Sequence, residues 1–339
     1  MKSFSQILGQ EKAIGFLKKV IKGDKIPHAY LFTGIEGTGK RTTALALARA
    51  INCKSPVEED SCGDCKVCRQ MNSGNFPDYY SIEPDGQNIK IEQIREFNRS
   101  INFKPVLGKY RITIINRAEM MTEEAANSFL KTLEEPPPGN IIVLKVIDPL
   151  DLLPTIISRC QKIPFKPLSH DIIEKHLINE LGETPERSSL AARISGGSLS
   201  VAIDICEGEF LKEREEILLN ITKLPGLSRI QVLDMAANFI KKYSKKKTGG
   251  GGIDYFEFLG VWKSFYRDLI LTKEKAPLNM LINRDYSDRL EDISNKIKIE
   301  NLLDGFFIMD QSQRDLSRNP NVNVAIEKML IDLRDLVPE

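Results

Sequence analysis

Three groups of residues in this sequence have the types and spacing to do chemistry. The first is Gly34-x-x-x-x-Gly39-Lys40, with Gly37 between the outer glycines, set after the apolar run "AYLF" and before the helical pattern "RTTALALARAIN". Glycines there let backbone N–H groups cup phosphate oxygens, and a lysine at the helix start can pair with them. Such a loop ordinarily continues with a Ser or Thr that ligates magnesium, and Arg41 stands in that place. Thr42 is no substitute, because one further residue turns its side chain about 100° round the helix. The second group is "ITIINRAE". A strand in this context ends in two carboxylates, one for the hydrated magnesium and one for the attacking water, but here the positions hold Asn116 and Arg117, with Glu119 beyond the strand end. The pocket therefore reads as one that does not hydrolyse nucleotide. The glycine-rich loop leaves two readings open, retained ATP or ADP binding at Gly34, Gly37, Gly39 and Lys40, or no nucleotide at all.

The third group is Cys53, Cys62, Cys65 and Cys68, spaced C-x8-C-x2-C-x2-C. Four thiolates so close suit tetrahedral Zn2+ and fill its coordination shell, so the expected metal is structural rather than catalytic. Reduced, metal-free thiols are the alternative. Cys206 lies outside the cluster and is expected in a core. The three histidines, His28, His170 and His176, pair with no cysteine or serine motif of a nucleophile and base. No acidic pair has the character of a two-metal nuclease site.

The elements that must position these groups follow from periodicity. In this chain of 339 residues, 41% hydrophobic, short apolar runs alternate with helical stretches from Tyr30 to about Phe165, the pattern of a parallel sheet flanked by helices. "AYLFTG", "DYYSIEP", "YRITIIN" and "NIIVLKVI" read as strands. "TEEAANSFLKTLEE" reads as a helix with Thr122 as N-cap, its glutamates on the positive end of the helix dipole and Ala125, Phe129 and Leu133 facing the sheet. Residues 1–165 are thus expected to form the α/β domain, with the zinc module at 53–68. Helical periodicity then predicts a small lid over 166–208 and an all-α collar, suited to oligomerisation, over 209–339. Within the collar, five lysines and four glycines in "KKYSKKKTGGGG" predict a flexible loop at 241–252. Phe258, Trp262, Phe265 and Leu269 form one helical stripe, expected as core.

Charge and hydropathy bound the partners. Lys+Arg of 48 against Asp+Glu of 47 gives a net charge of +1, so no global field draws the chain to nucleic acid or anionic membrane. No window approaches the roughly 20 apolar residues of a membrane span, and a soluble cytoplasmic protein is expected.

"ILGQEKAI", "IPHAYLFTG", "AANSFLKTLEEPP" and "LLPTIISRC" together resemble the clamp-loader AAA+ family of bacterial DNA polymerase III. The resemblance is strong from Phe4 to about Gly197 and general in character beyond. It implies an α/β P-loop (AAA+) domain with a zinc module, then a helical lid and a helical collar. It also implies a pentameric loader that uses ATP to open a sliding clamp and place it on primed DNA, with gamma/tau ATPase and delta subunits as neighbours. DNA contact in such an assembly would run through backbone phosphates along one face. ATPase subunits of that family keep the hydroxyl and both carboxylates that this chain lacks, and a nucleotide-sensing arginine after a "GS" pair is replaced here by Ser200. Arg159 of "SRC" is implied to reach across a subunit interface to the γ-phosphate bound by the neighbour, an effect worth about 10³ to 10⁵ in rate. Ser158 and Cys160 would fix its position, Cys160 being packed rather than reactive. No intrinsic catalysis is then expected of this subunit of a DNA-directed DNA polymerase holoenzyme. The rivals are an ATP-hydrolysing gamma/tau-like motor subunit and an AAA+ adaptor working outside replication.

Overall fold

A strand covered on both faces must be apolar at every position, and β1 (Ala29–Thr33) is buried along its whole length. Tyr30 and Phe32 enter one hydrophobic cluster with Ile112, Ile114, Ile141 and Val143. Ala29 and Leu31 enter a second with Ile142, Leu144 and Phe129. These are the two sides of a five-stranded parallel sheet in a computed structural model that describes residues 3–243, 255–318 and 322–336.

The other strands are β2 (Tyr79–Ile82), β3 (Arg111–Ile115), β4 (Asn140–Val146) and β5 (Gln161–Pro164), arranged β2-β3-β4-β1-β5. The four expected strands are present. The edge strand β5 was not foreseen, because only Ile163 of its four residues is buried and so few residues show no period. Around the sheet run α1 (Glu11–Lys22), α2 (Lys40–Asn52), α3 (Lys66–Asn72), α4 (Ile91–Ser100), α5 (Glu123–Glu134) and the single turn α6 (Pro154–Ile157). Helix α5 starts as its sequence requires, with Thr122 Oγ1 accepting the Ala125 N–H at 3.2 Å. Its Ala125, Phe129 and Leu133 are buried.

The chain divides into two compact units, Met1–Ile173 with Gly197–Ser200, and Glu174–Gly196 with Val201–Glu339. Helix α7 (His170–Leu181) starts in the first and continues into the second, followed by α8 (Pro185–Ile194) and α9 (Leu199–Glu207). Then come α10 (Phe210–Lys223), α11 (Arg229–Tyr243), α12 (Tyr255–Lys273), α13 (Ser287–Lys296), α14 (Ile299–Arg318) and α15 (Val322–Asp335). Of the loop expected over 241–252, residues 241–243 are the last turn of α11 and the rest lie outside the described residues. The stripe Phe258, Trp262, Phe265 and Leu269 is core, each no more than 2% exposed. Trp262 Nε1–H donates to Ile217 O at 3.0 Å, satisfying the one polar atom of that large side chain. Cys206 is buried, as expected.

One buried carboxylate fixes the loop before β3. Asp78 is fully buried and accepts the backbone N–H groups of Val106 at 2.6 Å, Leu107 at 2.7 Å and Gly108 at 2.7 Å. Asn52, at the end of α2, clamps the same segment through both backbone groups of Tyr110. Removing the Asp78 carboxylate strands three amides that were bonded to a charge, each such bond contributing about 1.5–3 kcal/mol without full additivity. Asp78→Ala is expected to lower stability by about 3 kcal/mol, read as a fall in the urea midpoint with an unchanged slope.

Candidate functional site

The phosphate loop leaves the C-terminal end of β1 and enters α2. It is a strained loop that tolerates only glycine at two points. Gly34 has φ 130° and a Cβ there would lie 2.2 Å from Phe165 O, and Gly37 has φ 75° and a Cβ there would lie 2.0 Å from Ser198 Oγ and 2.3 Å from Ser200 Oγ. The segment Gly197–Ser200 thus lies against the loop tip, where Leu199 N–H donates to Gly37 O at 3.1 Å. Gln10 braces the loop from the other direction, its Nε2 donating to Thr38 O and Lys166 O. Ser200 is therefore close to the loop, with a hydroxyl that carries no charge to offer a phosphate.

Lys40 is 5% exposed and donates to the carbonyls of Gly34 and Ile35 in its own loop. Burial, followed by the nearby Lys145 ammonium, pushes its pKa down to about 8. The backbone carbonyls engage a group that in a phosphate loop faces the anion. A phosphate arriving there must draw the ammonium away from two acceptors.

At the end of β3, Asn116 is buried and sits in the place of the metal-binding carboxylate. Its Nδ2 donates to Ser81 Oγ at 3.0 Å and to Glu83 Oε1, and its Oδ1 accepts from Lys145 Nζ. An ammonium on β4 therefore holds the amide at the position where a carboxylate would hold a cation. Burial, followed by the Coulombic effect of Arg41, lowers the pKa of Lys145. Arg117 points outward from a left-handed backbone, φ 48°, and Glu119 is pushed up by burial. Sequence reasoning passed over Lys145, Ser81 and Glu83. The signal was a single lysine inside the otherwise apolar run "NIIVLKVI", which a doubly covered strand does not tolerate without an acceptor.

Arg159 lies elsewhere. It precedes β5, whose Gln161 is paired with Tyr30 near the start of β1, whereas the phosphate loop follows the end of β1. The two therefore lie at opposite ends of neighbouring parallel strands, roughly 15 Å apart at 3.3 Å per residue. Arg159 Nη2 donates to Glu134 Oε1 at 2.7 Å, and Nη1 to Thr155 O at 2.9 Å and Ser158 Oγ at 3.4 Å. The neighbouring Cys160 thiol is pushed up to about 12 by burial, which keeps it protonated and inert.

The four cysteines converge. Their sulfurs all lie within 4.8 Å of one another, with Cys53–Cys65 at 4.0 Å and Cys68–Cys53 at 3.8 Å. An ion bonded tetrahedrally to four sulfurs at about 2.3 Å needs them about 3.8 Å apart, so the residues fit a metal. Backbone N–H groups of Cys62 and Cys65 donate to the sulfurs of Cys53 and Cys62 at 3.3 and 3.4 Å, the polarity a thiolate needs. Cys53 caps the end of α2 and Cys65 the start of α3, so the cluster ties the two helices together.

Residues 9–169 match the family model described as DNA polymerase III, delta subunit. The chain is 30% identical over 330 residues to the DNA polymerase III subunit delta' of Bacillus subtilis, covering 96% of each chain. It is 27% identical to the DNA polymerase III subunit tau/gamma of Haemophilus influenzae over 97% of its own length, but spans only 49% of that relative. Among solved structures, a DNA polymerase III gamma subunit-related protein of Thermotoga maritima covers 96% of the chain at 20% identity with a TM-score of 0.49.

Any side chain at position 37 meets Ser198 and Ser200 and adopts a disfavoured φ. Gly37→Ala is expected to destabilise the protein by about 2 kcal/mol, measured by urea unfolding, while Gly63→Ala, whose Cβ would meet nothing within 4 Å, loses only the smaller backbone penalty.

Proposed function

Because this chain belongs to the family of DNA polymerase III delta-prime subunits, we propose that it is a clamp-loader subunit that hydrolyses no nucleotide and lends Arg159 to the pocket of a neighbour. Its partners are the gamma/tau ATPase and delta subunits, and through the assembled complex the sliding clamp and primed DNA. It works in the cytoplasm. No helix among the described residues is long and apolar enough to cross a membrane. Residues 1–165 act as the α/β body, 166–208 as the lid and 209–339 as the collar through which subunits assemble.

The observation that carries this reading is the separation of Arg159 from its own phosphate loop by the length of the strands, the loop following the end of β1 and Arg159 preceding the start of the adjacent β5. A guanidinium at that end serves a nucleotide held by another chain, where it neutralises charge developing on the transferred phosphoryl group. The home pocket has the opposite character: Arg41 in place of the hydroxyl, Asn116 bonded to Lys145 in place of the carboxylate, and Arg117 in place of the second acid. Lys40 must give up two carbonyls before it meets a phosphate, so ATP or ADP is held weakly or not at all.

The test has two arms. The isolated chain is expected to turn over no ATP above buffer, and brisk turnover abolished by Lys40→Ala would overturn the reading. In a loader reconstituted with its partner subunits, Arg159→Ala is expected to lower hydrolysis at the facing site by about 10³-fold and to depress clamp loading. Unchanged hydrolysis would remove Arg159 from the mechanism.

Cys53, Cys62, Cys65 and Cys68 hold a structural Zn2+, which when bound closes its shell with four thiolates and supplies rigidity rather than chemistry. Purified protein is expected to carry about one zinc per chain by plasma emission. Cys68→Ser is expected to lose it and to lower the unfolding temperature, each 1 kcal/mol being about 2–4 °C in a unit of this size.

A further inference from the structure

Arg159 does not extend freely from its edge of the sheet. Three of the five guanidinium hydrogens are engaged, one by a carboxylate and two by oxygens of the turn from which the side chain springs. The carboxylate is that of Glu134, the last residue of α5. This helix runs back from the C-terminal end of β3 to the N-terminal end of β4, so its end lies beside the N-terminal ends of the strands, as Arg159 does. Glu134 is the first acid of "LEEPPP", and the chain cannot continue as helix through the prolines that follow. The helix end and the arginine turn are thus two fixed points at the N-terminal ends of the strands, joined by one ion pair.

We propose that Glu134 is the positioning residue for Arg159. Holding Nη2 at 2.7 Å while Thr155 O holds Nη1 at 2.9 Å fixes the plane of the guanidinium and leaves Nε and one Nη2 hydrogen for an incoming phosphate. An arginine left to its rotamers spends most of its time elsewhere, and ordering it on binding opposes the contact. Glu134 makes that ordering part of the folded subunit. The pair is partly exposed, with the Arg159 side chain at 35% and that of Glu134 at 52%, so its strength is that of a surface pair discounted for solvent screening. Its effect is on geometry, and the size to expect is modest.

The inference rests on the trans reading of Arg159, and the experiment separates the two. A loader reconstituted with gamma/tau and delta subunits, clamp and primed DNA is compared across wild type, Glu134→Ala, Glu134→Gln, Arg159→Ala and the double variant Glu134→Ala/Arg159→Ala. The expected result is a kcat for ATP hydrolysis about fivefold lower in Glu134→Ala with KM for ATP unchanged. Glu134→Gln, which keeps the acceptor oxygen, recovers most of the rate, and the double variant is no slower than Arg159→Ala alone. A structural role of Glu134 would instead lower subunit assembly or the unfolding temperature and would not be rescued in kcat alone. If Arg159→Ala slows the loader but Glu134→Ala matches or exceeds the wild-type rate, Glu134 does not position the arginine and this inference fails by itself. If Arg159→Ala has no effect, the trans reading fails first.

Discussion

Strand β1 is hydrogen-bonded to β4 on one side and β5 on the other, all running the same way. That pairing decides where every chemical group can be. Whatever follows β1 or ends β4 leaves the sheet at the C-terminal ends of the strands, which gather the phosphate loop and Lys145. Whatever precedes β5 stands at the N-terminal ends, which takes Arg159 away from that loop. No side-chain rotamer bridges a distance of roughly 15 Å. The separation of the loop from the arginine is therefore a property of the backbone, established before any side chain is considered.

Within the pocket, cationic side chains crowd one another. Lys40, Lys145 and Arg41 are close enough that burial and mutual repulsion lower the pKa values of both lysines. Each lysine is stabilised by acceptors from the protein itself: carbonyls of the loop for Lys40, the Asn116 amide for Lys145. The carboxylates of Glu36, Glu83 and Glu119 offset part of the positive charge around the two lysines. Asn116 is in this way the acceptor of an ammonium, with Ser81 and Glu83 on its other side.

Sequence reasoning reached whatever is local. Four of the five strands, the Thr122 cap, the inward face of α5, the aromatic stripe of α12 and the cysteine grouping all follow from spacing within one segment, and all are in the structure. The remainder depends on contacts between distant segments. Asp78 meets Val106 to Gly108 nearly 30 residues on, Gly37 meets Ser198 and Ser200, and Glu134 meets Arg159. Nothing in the composition of either partner announces the other. Strand β5 escaped for a different reason: only Ile163 among its four residues is buried, which gives no alternation to read. Lys145 alone left a trace, as the one charged residue in an apolar run.

Helix α2 starts at Lys40 and finishes against Cys53. Its 13 residues make a rod about 20 Å long, with the glycine loop at one tip and the cysteine cluster at the other. The two motifs are thus opposite ends of a single helix, and their separation is set by its rise of about 1.5 Å per residue.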